Sequence, residues 1–251
     1  MRETDFINGF AKGLRVIEAF GEATPRLSIT DVSNITGLER ATARRCLLTL
    51  SELGYAHYDG KFFTLTSRVL RLGHSYLSAT PLPRIVQPFL DRLSEATGES
   101  ASVSVLDGNE VVYVARAAQR RVMSINLNPG SRLPAYCASM GRVLLAALPE
   151  QQARAILEDT DRNANTPHTL TDIAELLEEL RRIQNQGYAI VDQELEIGLR
   201  SIAIPLQDSR GSTIAAMNVG TQAARTELTE MVGRYLPIMR ETQAALRHVL
   251  I

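Results

Sequence analysis

At 251 residues with a formal net charge of -1, the chain is longer than one typical domain and short of three, so two domains are expected. Hydrophobic residues make up 45% and charged residues 22%, which excludes a disordered chain and leaves enough apolar material for real cores. No apolar run approaches the roughly 18 residues of a membrane span, and the opening MRETDFINGF lacks a hydrophobic signal core, so a cytoplasmic protein is expected.

The chain then reads as a series of local elements. Phe10, Leu14, Ile17 and Phe20 recur at helical spacing, which predicts an amphipathic helix over 8–21 closed near Gly21. Ser28-Ile-Thr-Asp31 has the form of a capping box and opens a short helix over 29–36, stopped by Gly37. A second helix follows over 39–53, with Ala43, Leu47 and Leu50 on one face and Gly54 at its end. Two short helices joined by a Gly-containing turn make a helix-turn-helix pattern, which plain helical bundles also produce. The next segment argues for the DNA-binding version. Tyr55–Tyr58, the type I′ turn signal Asp59-Gly60, and Lys61–Leu65 predict a hairpin, that is, a wing with Lys61 just beyond its tip.

The charge pattern points the same way. Residues 1–80 carry ten basic against eight acidic side chains, and residues 36–72 alone carry six against three. Such a local basic patch fits phosphate contact by one module, although a solvated helix face gives the same count. Of the 27 basic residues only Lys12 and Lys61 are lysines, which favours forked guanidinium contacts; a GC-rich genome gives the same bias. At 100° per residue, Ala41, Thr42 and Arg45 point away from the Leu47 stripe, with Arg44 on the flank and Arg40 in the first turn. This face is the expected DNA-reading surface, since recognition helices meet bases and phosphates with their N-terminal half. Glu52 is expected in solvent and Cys46 on the core side.

Residues 67–78 predict a linker helix with Val69, Leu72 and Tyr76 in register, broken by Pro81-Leu-Pro83. The expected organisation is a DNA-binding domain over 1–66, a linker over 67–80 and a second domain over 81–251. In that second domain a helix over 84–97 ends at Gly98. Strands over 100–106 and 111–117, joined through Asp107-Gly-Asn109, precede another over 122–127. Helices are predicted over 139–148, 150–158, 171–186 and 226–248, with strands over 188–192, 201–206 and 213–219. No regular strand–helix–strand alternation emerges, so the class is α+β.

With LPAYCASMGRVLLA (133–146), GYAIVDQE (187–194) and GLRSIAIPL (198–206) in this order and spacing, the chain resembles the IclR-type bacterial transcriptional regulators over nearly its whole length. VYVAR (112–116) and AYCASMGRVLLA (135–146) are most similar to the branch that regulates the beta-ketoadipate pathway. The resemblance implies a winged helix-turn-helix over 10–66 and a GAF-like α/β effector domain over 81–251. It also implies double-stranded operator DNA and a small acid such as protocatechuate, para-hydroxybenzoate or beta-ketoadipate as partners, in a homodimer or homotetramer. No cofactor, metal or membrane is implied. Carried over by position, the resemblance puts effector-binding residues at Ser139, Met140 and Gly141, at Val191 or Asp192, and at Ser201, Asn218 and Gly220.

A physical argument stands beside the first of these, because free amides and the dipole at a helix start favour a carboxylate. Arg116 and Arg142 are candidates to assist. The bulky Met140, where some relatives carry Gly, suits a flat aromatic acid or longer diacid better than glyoxylate; another small carboxylic acid is the alternative effector. A further alternative is a thiol enzyme using Cys137, His168 and Asp192, although nothing in the sequence fixes their geometry. Four scattered His and two distant Cys show no metal-ligand spacing, and no catalytic residue is assigned.

Overall fold

The structure is a computed structural model that describes residues 5–21, 23–119 and 127–250. These residues form two compact units that divide between Ala79 and Thr80.

In the first unit, helix α1 (Asn8–Glu18) is followed by α2 (Ile29–Thr36) and α3 (Arg40–Glu52). The capping box is present. The Ser28 hydroxyl accepts the Asp31 amide, and the Asp31 carboxylate accepts the Ser28 amide at 2.8 Å. Gly37 ends α2 at φ 69°, a left-handed conformation that costs glycine little. Helix α1 stops three residues before Gly21, because Thr24 folds back to donate its hydroxyl to the Ala19 carbonyl at 3.0 Å. It also faces differently from the predicted stripe. Val16 and Ala19 enter the core, whereas Phe10 and Leu14 are 68% and 39% exposed.

Strands β1 (Ala56–Tyr58) and β2 (Phe63–Leu65) pair antiparallel, with Tyr58 opposite Phe63. Leu27 bridges Phe63 and ties the entry to α2 onto this hairpin. The turn differs from the predicted one by a residue. Asp59 pairs with Phe62 at the base, and its carboxylate accepts the amides of Lys61 and Phe62 at 2.9 and 2.8 Å. The two tip residues are therefore Gly60 and Lys61, not Asp59 and Gly60. The predicted helix over 67–78 is a 3-10 turn at 67–69 followed by α4 (Leu70–Ala79), in which Leu72 and Tyr76 are exposed.

The second unit opens with α5 (Leu82–Thr97). Pro81 is its cap and Pro83 lies in its first turn, where the missing N–H has no intrahelical partner to lose. The proline pair therefore starts this helix instead of delaying it to 84. Strands β3 (Ser100–Asp107), β4 (Glu110–Ala117), β5 (Arg132–Pro134), β6 (Ala189–Asp192), β7 (Leu199–Gln207) and β8 (Thr213–Gln222) form one antiparallel sheet in the order β5-β4-β3-β8-β7-β6. The predicted strand over 122–127 falls almost wholly outside the described residues, and β5 is too short to give an alternation signal. Helices α6 (Ser139–Ala146), α7 (Glu150–Glu158) and α8 (Ile173–Gln186) pack on one face of the sheet; α5 and α9 (Leu228–Arg247) cover the other. This is the expected α+β class.

Alternation along the central strands assigns each face its chemistry. Ala101, Val103, Ile202, Ile204, Met217 and Val219 join the core beneath α5 and α9. The residues between them on the α6 side include Ser100, Ser102, Ser104, Ser201, Asn218 and Gly220. A row of small and polar residues on a buried face leaves room that leucines would have filled.

Candidate functional site

The first candidate surface is the outer face of α3. Arg40, Ala41, Arg44 and Arg45 are exposed and Thr42 is half-buried, while Ala43, Leu47 and Leu50 are buried behind them. None of the three guanidiniums makes a hydrogen bond or ion pair among the described residues. Glu52 is exposed as expected, and Cys46 packs against the core. Lys61 is exposed at the wing tip with its ammonium 5.0 Å from the Phe62 ring. The same ring carries Arg26, whose guanidinium also meets Asp59 at 2.5 Å. Asp59 is held down at about 2 by the amides of Phe62 and Lys61 and by Arg26, all of which favour its charged form.

The second candidate is a cavity in the second unit between the sheet and α6. Its free volume is about 30 Å³, room for about one water, so a ring-sized ligand has to displace side chains lining it to enter. Six of the eight positions singled out in this unit line it: Ser139, Met140, Val191, Ser201, Asn218 and Gly220. The sheet register explains their meeting. Asn218 and Arg116 both pair with Ser102 from opposite sides, and Gly220 pairs with both Ser100 and Ser201. Above them, the Ser201 hydroxyl donates to that of Ser139 at 2.8 Å, and the Ser104 hydroxyl meets the Met140 thioether at 3.3 Å. Helix α6 has no side-chain cap at its start, so its first amides remain available to a ligand.

The other two positions do not line the cavity. Asp192 turns to Arg200 and accepts its Nε at 2.5 Å. Gly141 is there for packing: a Cβ at this position would come 2.2 Å from the Ala135 carbonyl oxygen and 2.4 Å from its Cα. The structure also separates the two candidate arginines. Arg142 is committed to Glu194, at 2.6 and 2.5 Å, and lies outside the cavity. Arg116 lines it.

Arg116 donates to Ser102 Oγ at 3.0 Å, and no carboxylate lies within ion-pair distance of it among the described residues. Its Nε and the Oδ1 of Asn218 are the two buried side-chain polar atoms without a hydrogen-bond partner among the described residues. Burial pulls the guanidinium below its usual range and pushes the neighbouring Tyr113 phenol up to about 12. A half-buried cation without a counter-ion, set in an apolar wall, favours an anion that enters the cavity.

Sequence reasoning missed the apolar wall of Tyr113, Leu133, Leu195 and Leu199. The alternation of β4 could have suggested Tyr113, but nothing local marks Leu195. The imagined thiol site is not assembled. Cys137 meets Pro134 and Asn165, and burial pushes its thiol up to about 11. His168 is exposed, and Asp192 belongs to Arg200.

Comparison with known proteins adds an independent observation. The family model described as bacterial transcriptional regulator IclR C-terminal matches residues 74–248, and that of the IclR helix-turn-helix domain matches 10–60. The chain is 45% identical over 249 residues to the Pca regulon regulatory protein of Pseudomonas putida, covering 99% of this chain and 86% of that one. It is 39% identical to the p-hydroxybenzoate hydroxylase transcriptional activator of Acinetobacter baylyi, covering 100% and 94%. The solved inducer-binding domain of a double mutant of the Acinetobacter PobR transcription factor, in complex with 3-hydroxybenzoic acid, is 35% identical. It superposes with a TM-score of 0.64 over 67% of this chain and 98% of that one.

Proposed function

The chain belongs to the IclR family of bacterial transcriptional regulators, and from that premise we propose that it controls aromatic acid catabolism in response to a hydroxybenzoate-type acid. The observation that carries this reading is Arg116, a half-buried cation with an unpartnered Nε on the wall of a largely apolar cavity. An aromatic carboxylate supplies its missing counter-ion. The ring then lies against Tyr113, Leu133 and Met140, and ring hydroxyls reach Asn218 or the Ser139–Ser201 pair. The amides at the start of α6 are a second pole for polar groups. This arrangement favours Arg116 over the α6 amides as the carboxylate partner, because a full charge outweighs the partial charge of a helix end.

The relatives named for the pca regulon and for p-hydroxybenzoate hydroxylase support the substrate class, as does the 3-hydroxybenzoic acid complex. On the DNA side, Arg40, Ala41, Thr42, Arg44 and Arg45 meet the major groove and Lys61 a phosphate. The chain works as a homodimer or homotetramer in the cytoplasm, since two-fold symmetry matches palindromic half-sites. It acts by binding and not by turnover. No helix among the described residues is long and apolar enough to cross a membrane.

A thermal-shift panel tests this reading with 4-hydroxybenzoate, protocatechuate, benzoate and 3-oxoadipate, because a ligand selective for the folded state raises its melting point by mass action. At least one hydroxylated benzoate is expected to stabilise the wild type and to fail with Arg116→Gln. Stabilisation by short aliphatic acids alone refutes the aromatic assignment.

A further inference from the structure

We propose that Arg142 and Glu194 are positioning residues of the cavity: a buried ion pair that ties together the two segments carrying its walls and so sets effector affinity without touching the effector. The proposal rests on the cavity being the effector site.

The pair is 2% and 7% exposed and joins positions 52 residues apart. Arg142 lies one turn into α6. Its Nε donates to the Tyr136 carbonyl at 2.8 Å, and its two terminal nitrogens donate to the two Glu194 carboxylate oxygens. Glu194 Oε2 also accepts the Leu170 amide at 2.9 Å. On one side of the pair, Tyr136 leads directly into Cys137–Met140, which form one wall of the cavity. On the other, Glu194 precedes Leu195, which faces the cavity from the opposite wall together with Val191 and Leu199.

The segment around Glu194 is held with unusual care. Thr169 donates its hydroxyl to the Glu194 carbonyl at 2.6 Å, and Thr166 donates to the Gln193 carbonyl at 2.7 Å. Gln193 has φ 59°, the one left-handed non-glycine residue among those described, and its side chain accepts the Gly198 amide at 3.1 Å. A bulky residue keeps such a conformation only where its surroundings over-determine it. The 193–198 loop is therefore pinned at its base while Leu195 projects inward.

A buried ion pair is a costly way to hold a core together, and an apolar pair of similar volume would serve stability as well. A network of four charge-assisted bonds offers fixed geometry instead. Backbone segments already tied in place around a cavity spare the ligand the entropy of ordering them, which appears as affinity.

The test uses the full chain, with 4-hydroxybenzoate as titrant in calorimetry and stopped-flow release, well below each variant's own melting midpoint. In Glu194→Gln, affinity is expected to fall about tenfold, with faster release. Thr169→Val removes the bond to the Glu194 carbonyl and those to the Thr166 amide and hydroxyl, but no charge; it is expected to weaken binding about threefold while lowering the melting point without ligand by only a few degrees. Arg142→Lys keeps the charge but loses the fork, and is expected to resemble Glu194→Gln. Unchanged affinity in folded Glu194→Gln, with only a lowered melting point, overturns the proposal. If that variant does not fold, wild-type affinity and release in Thr169→Val overturn it equally. Failure of the wild type to bind 4-hydroxybenzoate, protocatechuate and 3-oxoadipate overturns the effector reading itself, and this proposal with it.

Discussion

Replacing Gly141 by alanine isolates the contact on which the geometry of α6 depends. The added Cβ would lie 2.2, 2.4 and 2.7 Å from the carbonyl oxygen, Cα and carbonyl carbon of Ala135. All three are backbone atoms, so no side chain can rotate away, and an ordinary contact needs a displacement of about 1 Å in a close-packed interior. Overpacking of this kind costs about 1–3 kcal/mol, and a rigid obstacle belongs at the upper end. Alanine recovers about 1 kcal/mol of helix propensity. The net loss is about 2 kcal/mol, which for a unit of this size lowers the melting temperature by about 4–8 °C. The same displacement moves Ala138, Ser139 and Met140, which line the cavity, so the ligand-induced thermal shift is expected to shrink as well. Differential scanning fluorimetry with and without 4-hydroxybenzoate reads both effects. An unchanged or raised melting point in Gly141→Ala would refute the close approach of α6 to Ala135.

Two further expectations concern other parts of the molecule. Arg40→Ala and Arg45→Ala are each expected to weaken operator binding by about 1–3 kcal/mol and relax base preference, whereas Lys61→Ala weakens all sequences alike and flattens the salt dependence by about one unit of slope; intact operator affinity in the double arginine variant counts against the α3 surface. Cys137, pushed up to about 11 by burial, stabilises the fold fully below the ordinary thiol value of 9.0 and loses that contribution as pH rises toward about 11. Native alkylation by iodoacetamide at pH 8 should accordingly be slow and should quicken on unfolding; rapid native labelling of Cys137 would show that the thiol is not buried.

The sequence by itself determined whatever depends on neighbours along the chain. The Ser28–Asp31 capping box, the αL stop at Gly37, the buried stripe of Ala43, Leu47 and Leu50 and the outward arginines of α3 all follow from spacing of four residues or fewer. Alternation along β7 and β8 likewise put Ser201, Asn218 and Gly220 on one face, and strand pairing brought them together. Tertiary structure decided the partners. Nothing local says that Arg142 meets Glu194, 52 residues on, while Arg116 stays unpaired, or that Asp192 turns to Arg200. Gly141 read as a ligand position until its distance to Ala135 showed a packing requirement. Likewise, the stripe on α1 carries the same residues whether it is covered or not, and only the extent of the core leaves Phe10 outside it. Periodicity records which side of an element a residue takes; the approach of two distant segments, set by packing and charge, decides what that side meets.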